Sequence, residues 1–253
     1  MQSNSNRWLR HYLIAFACLA LWAQPAQAQV SLAQACILES GDILGAVGQD
    51  IVFTSPTTVG NHILVAVGWG GVVGLTVTVT DDGSNTYSQT LANYAGSAAG
   101  AVHQKAAPVT TTSQTVTVTM SGATTGTADY IAICEVVNLV DPIAVDATST
   151  TATTGVQTHD TLLSVTTTTD NAFLLGQNYC SNGTYTADGD YSAVSTFTFG
   201  MVATDILSAT ATQNMETTSA ANETCTNALV AYQGEGGAAP SRAKHCLLLG
   251  VCE

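Results

Sequence analysis

Thr76-Val77-Thr78-Val79-Thr80 and Thr115-Val116-Thr117-Val118-Thr119 are the two stretches that decide the fold class of this chain. A strict period of two sends every valine to one face of a strand and every threonine to the other. Both residues are β-branched, and their stiff side chains suit a pleated surface better than a helix. The two segments therefore predict strands with an inward valine face and a solvated threonine face.

Outward from them lie segments of a second kind. Residues 62–69, 130–137, 172–176 and 228–232 are nearly continuous apolar runs, the pattern of central strands covered on both faces. Turn formers separate the runs: Ser55-Pro56, Asp82-Gly83, Gly122, Asp141-Pro142, Asp170-Asn171 and Gly189. No stretch shows a helical 3.6-residue amphipathic period. Many short strands between turns predict an all-β fold, an antiparallel two-sheet β-sandwich of jelly-roll-like or immunoglobulin-like type.

The order of the pieces resembles a recurrent β-sandwich module of secreted bacterial proteins. The residues that carry the resemblance are Gly60-Asn61-His62-Ile63-Leu64-Val65, the hairpin Asp82-Gly83-Ser84-Asn85-Thr86-Tyr87 and the Thr115 strand. Asp141-Pro142-Ile143-Ala144-Val145 and Asn171-Ala172-Phe173-Leu174 complete it, over about residues 50 to 232. The resemblance implies a β-sandwich and no established activity, because these motifs form turns and core rather than a catalytic centre.

The first 28 residues read as a secretory signal: Arg7 and Arg10, an apolar run over 12–23, then Ala26-Gln27-Ala28. The run is shorter than the roughly 20 apolar residues of a membrane span. Residues 29–232 are then expected to form one β-sandwich domain. Residues 233–253 form a Gly/Pro linker and a cysteine-containing tail with Arg242 and Lys244. The expected location is secreted, extracellular or at the cell surface, with the periplasm as the alternative. After cleavage Lys105, Arg242 and Lys244 stand against 18 acidic residues, a net charge of −15. Such a surface repels nucleic acid and anionic membranes. Charged residues nevertheless make up only 9% of the chain, so neutral polar side chains must cover most of the outside.

Six cysteines remain after cleavage: Cys36, Cys134, Cys180, Cys225, Cys246 and Cys252. An even count in an exported chain predicts disulfides, although six cysteines allow fifteen connectivities. Cys246 with Cys252 is the easiest local pair, and Cys180 with Cys225 would staple a long loop. No Cys-x-x-Cys pair or histidine spacing suggests a zinc site.

The best candidate binding segment is 179–191, read as a loop. Tyr179, Tyr185 and Tyr191 offer ring faces to sugar C–H surfaces, while Asn182, Asp188 and Asp190 offer hydrogen bonds to hydroxyls. Asp188 and Asp190 are also a candidate calcium pair, without the spacing of an EF-hand; no other cofactor is expected. An ordinary polar loop has the same composition. Glu135 shares the parity of Ile131 and Ile133 and is a candidate general acid, but nothing marks the second carboxylate such a site needs. It is expected to reach solvent at a strand end. No nucleophile elbow, His-Glu-x-x-His pair or phosphate loop occurs in the sequence. The expectation is a non-enzymatic structural or adhesive protein of the surface or extracellular matrix, self-assembling through strand edges with copies of itself or other surface proteins. A carbohydrate-binding module for glycans is the alternative, and a polysaccharide-acting enzyme comes third.

Overall fold

The computed structural model describes residues 28–41, 48–70, 75–95, 99–106, 109–122, 129–156, 159–180, 186–188, 191, 193–197, 200–219 and 223–236. These form β-strands and no helix. In the first half the strands are β1 (Ser31–Leu32), β2 (Ile37–Gly41), β3 (Gln49–Val52), β4 (His62–Gly70), β5 (Val77–Asp81), β6 (Tyr87–Ala95), β7 (Ala99–Ala106), β8 (Thr115–Met120) and β9 (Asp129–Val137). In the second half they are β10 (Val145–Val156), β11 (His159–Thr166), β12 (Ala172–Cys180), β13 (Thr186–Asp188), β14 (Ala193–Phe197), β15 (Gly200–Leu207), β16 (Thr212–Ser219) and β17 (Glu223–Gln233).

The pairing repeats. In the first half one sheet runs β2-β9-β4-β7-β6, with β1 also on β9, and a second runs β3-β8-β5. The second half reproduces both orders as β10-β17-β12-β15-β14 and β11-β16-β13. Each half is thus an antiparallel two-sheet sandwich, as the alternating segments required. Its chain crosses repeatedly between a large and a small sheet, the jelly-roll manner of the two expected types. A local detail repeats as well. Thr57 donates its N–H to the Ser113 carbonyl (2.7 Å) and its Oγ1 accepts from Ser113 N (2.9 Å). Thr167 makes the same exchange with Ala211, at 2.9 and 3.0 Å.

Three cores hold four sheets in a stack. The first lies between the small and large sheets of the first half, where Ile51, Phe53, Val77, Val79, Val116 and Val118 meet Ile63, Val65, Val67, Trp69, Ile131 and Ile133. The second joins the two large sheets through Leu64, Ala66, Tyr130, Ala132 and Val136 on one side and Phe173, Leu175, Tyr179, Val230 and Tyr232 on the other. The third, behind the second large sheet, holds Leu174, Ala203, Leu229 and Ala231 against Leu163, Val165 and Met215. Strands β4 and β12 are buried at every position, and β9 at all but Val137. This is why their sequences are apolar without alternation. By contrast β5 alternates buried Val77 and Val79 with exposed Thr78 and Thr80, because only one of its faces is covered.

Glycines at the C-terminal end of β4 make room for two tyrosine rings in the core between the large sheets. A Cβ on Gly68 would lie 2.3 Å from the ring of Tyr130, its cross-strand partner, and one on Gly70 would lie 2.2 Å from the Tyr179 hydroxyl. The two rings, laid over bare backbone, stack with centroids 6.2 Å apart and planes at 28°.

Disulfides join Cys36 to Cys134 and Cys180 to Cys225. The first ties the segment before β2 to β9, and the second ties directly paired residues of β12 and β17. Two such bonds belong to an oxidising compartment. Cys246, Cys252 and the expected 233–253 tail beyond residue 236 lie outside the described residues, as does the expected signal apart from Ala28. Among the described residues no helix is long and apolar enough to cross a membrane.

Gly68→Ala should lower unfolding free energy by about 1–3 kcal/mol, the usual range for overpacking a well-filled core. Urea titration followed by tyrosine fluorescence checks this, and an unchanged midpoint would show that the Tyr130 ring can step aside.

Candidate functional site

The segment 179–191 does not form one loop. Its first two residues complete β12, and 186–188 form β13, paired with β16. Strand β12 runs past Gly176 into Gln177-Asn178-Tyr179-Cys180 because β17 supplies a partner for each residue through Cys225. Asn178 Nδ2 donates to the Asn227 side chain, which in turn donates from Nδ2 to Thr151 Oγ1 (3.1 Å). Polar residues that read as loop are therefore strand interior.

Tyr179 is correspondingly withdrawn from any sugar-binding surface. It is 2% exposed and sits in the central core on Tyr130. Burial, followed by the charge of Asp129, pushes its hydroxyl up from the usual tyrosine range. Tyr191 packs instead against the third core, behind the second large sheet. Its hydroxyl is likewise pushed up, first by burial and then by the charge of Asp205. The two rings thus serve different cores and make no shared platform. Asp188 ends β13 opposite Glu216; Asn182, Tyr185 and Asp190 lie outside the described residues. Among the described residues no group of three or more His, Cys, Asp and Glu gathers to hold a metal ion.

Glu135 does not reach solvent. It is 1% exposed, and its carboxylate is held by three donors from two segments. Thr58 N and Asn61 Nδ2 each donate to Oε1 at 2.7 Å, and Gln34 Nε2 donates to Oε2 at 2.6 Å. Gln34 is itself anchored, since its Oε1 accepts from Thr54 Oγ1 (2.8 Å). A carboxylate with this many donors is satisfied where it stands, and its role is to tie the entry of β4 to the segment between β1 and β2.

The hairpin motif is a clamp of the same kind. Asn85 donates its N–H to Asp81 Oδ1 (2.9 Å) and its Nδ2 to Asp81 Oδ2 (2.8 Å); the Tyr87 hydroxyl donates to the same Oδ2 (2.9 Å). Across the turn Asn85 Oδ1 accepts from Thr110 N (3.0 Å), and Asp82 Oδ1 accepts from Ser113 Oγ (2.7 Å) and Gln114 N (2.9 Å). Partial burial works to raise the Asp82 pKa. The hydrogen bonds from Ser113, Gln114 and Thr115 outweigh it and hold the carboxyl below its usual range.

What remains open on the described surface is backbone. Strand β10 is twelve residues long, forms one edge of the second large sheet, and pairs with β17 alone. Its register is unbroken from Ala147 to Thr153. Thr148, Thr150 and Ala152 are exposed, and Val145 is 38% exposed. Its one charged residue, Asp146, accepts hydrogen bonds from the N–H and hydroxyl of both Thr168 and Thr169. Asn93 Nδ2, on β6, donates at once to the carbonyls of Thr151 (2.7 Å) and Asn227 (3.0 Å). One donor can reach both oxygens only if they point into the seam between β10 and β17. By alternation the N–H and C=O groups of Thr148, Thr150 and Ala152 point outward. Sequence reading passed over this edge. Its signal was the run Ala147-Thr148-Ser149-Thr150-Thr151-Ala152-Thr153-Thr154, which holds neither a charge nor a turn former.

No family model matches the chain, and no curated protein or solved structure is similar to it.

Because the folded Asp82 pKa is depressed, its contribution to stability is present above the unfolded value near 3.8 and is lost as pH falls through the folded value. Acid titration of thermal stability should therefore show a decline below about pH 4 that is shallower in Asp82→Asn. Equal slopes in the two proteins would remove Asp82 as the cause.

Proposed function

We propose that this protein is an exported structural or adhesive component of the cell surface or extracellular matrix, acting by association with itself or other surface proteins rather than by catalysis. The observation that carries the reading is the open β10 edge. A long strand with unpaired backbone groups and no Lys, Arg or Pro is a template for further pairing.

Two further observations support it. Of the polar residues that sequence singled out for chemistry, Glu135 and Tyr179 are bonded or packed into the fold. The exterior of the first small sheet is hydroxyl-rich: Thr78 faces Thr119 and Thr80 faces Thr117 on neighbouring strands, with Asp50 accepting a hydrogen bond from Thr117 beside them. Four stacked sheets with two disulfides, one of them across paired strands, make a stiff body suited to bearing load. Secretion, suggested by the amino-terminal signal pattern, fits the disulfides.

The test is sedimentation velocity of protein lacking residues 1–28, from low micromolar concentration upward. Association that grows with concentration is the expected result. A strictly monomeric species throughout would overturn the reading. Saturable binding on a glycan array by such a monomer would establish the carbohydrate-binding alternative in its place.

A further inference from the structure

We infer that the partner of the β10 edge is the β10 edge of a second copy, paired antiparallel about a two-fold axis so that the second large sheet runs continuously through both molecules. The inference rests on the associative reading above and names its partner.

Length and composition select that occupant. A strand that satisfies β10 must be about as long and free of charge along its edge. The short edges described are β1, β2, β3, β5, β13 and β14, of two, five, four, five, three and five residues. Short edges are one way natural sheets discourage pairing. Strand β6 has nine residues, but its longest unbroken register is the five residues Leu91–Ala95, against the seven of Ala147–Thr153 in β10. Strand β11, of eight residues, carries His159 and Asp160 at its start. Among the described edges β10 alone offers a long, regular and neutral ladder, so the best match to β10 is β10.

Symmetry makes the match self-consistent. In an isologous antiparallel pair, residue i of one copy faces residue j of the other and the reverse. The outward N–H and C=O groups of Thr148, Thr150 and Ala152 then meet an identical set running the opposite way. Charge opposes the approach but not the contact: the body is strongly acidic, whereas the contact strip has only Asp146, already engaged by Thr168 and Thr169. Repulsion between acidic bodies is screened by salt, while strand pairing is not. Association should accordingly strengthen as ionic strength rises.

The experiment compares the unmodified protein with Thr150→Lys and Thr150→Pro by sedimentation velocity, at low and high salt. Thr150 is exposed and its N–H points away from β17, so neither change touches the internal ladder. Lys places a charge on the strip while lowering the net negative charge, so weaker association cannot come from greater repulsion. Pro deletes an outward donor without adding charge. Loss of association in both, with circular dichroism and melting unchanged, is the expected result. Hydrogen exchange on the unmodified protein provides a measurement independent of any variant: amides of Thr148, Thr150 and Ala152 should gain protection on association.

If the unmodified protein associates but both folded variants still do, or these amides gain nothing, the β10 pairing is overturned and the associative function stands on another surface. If the unmodified protein never associates, both fall together.

Discussion

Neither large sheet can exist in water with one face bare. The residues of β4 and β12, all of β9 but Val137, and 225–232 of β17 are buried on both faces, and each sheet therefore needs a cover front and back. The small sheets supply one cover each, and the large sheets supply the other for one another. The contact between them, centred on Leu64, Tyr130, Phe173, Tyr179, Val230 and Tyr232, is thus the constraint on which the rest depends. Separating the halves would expose a face that no part of either half can cover. The repeat in strand order suggests how this arose: one eight-stranded sandwich, present twice in a chain, meets its own image through its apolar large sheet. The Tyr130 and Tyr179 rings over Gly68 and Gly70 fix how closely those images approach.

The two halves have diverged in what fills them. The described core behind the first large sheet is built from apolar side chains, from Ile51 to Trp69 to Met120. On the corresponding side of the second half, Gln213 Nε2 donates to Asp205 Oδ2 (2.8 Å) and Asn178 bonds Asn227. A buried polar pair contributes little net stability but is costly to break, so it favours one register over its neighbours. Since a slip of one residue in β12 or β17 would separate Asn178 from Asn227 and Cys180 from Cys225, the second half is pinned in register by chemistry. The first half relies more on close apolar packing. The segments before β1 and after β17 are fixed in the same polar way: Asn171 accepts from Val30 N (2.7 Å) and donates to the Glu235 carbonyl (2.8 Å).

Much of the fold was legible because periodicity responds to how many faces are covered. The Thr/Val segments gave one-sided strands, and the apolar runs gave two-sided ones, at nearly the positions found. What period could not convey was that the sheet covering a given face belongs to another sandwich, since a buried residue looks alike whichever neighbour buries it. Two opposite errors followed from composition. Tyr179 and Cys180 read as the start of a loop, but cross-strand amides and a disulfide can satisfy a strand interior as methyl groups fill one. Glu135 looked like a residue that must find solvent, but three donors brought by chain segments up to 101 residues away remove the need. Such partners are set by topology, and local sequence does not record them.

The edge differs from the core in that its geometry limits what association can build. A filament needs two complementary open edges on each molecule, one to extend from and one to receive. A single self-complementary edge closes on its first partner. In the second large sheet the edge opposite β10 is β14, five residues long, which leaves no matching surface from which to continue. Pairing through β10 would therefore stop at two copies and set the two stacks side by side, with the small sheets still facing outward. A stiff, acidic, two-bodied bridge of that kind suits contact between surfaces better than growth of a fibre. Screening would set how readily the bridge forms, since the charge that keeps bodies apart acts at a distance while the bonds that join them act only at the edge.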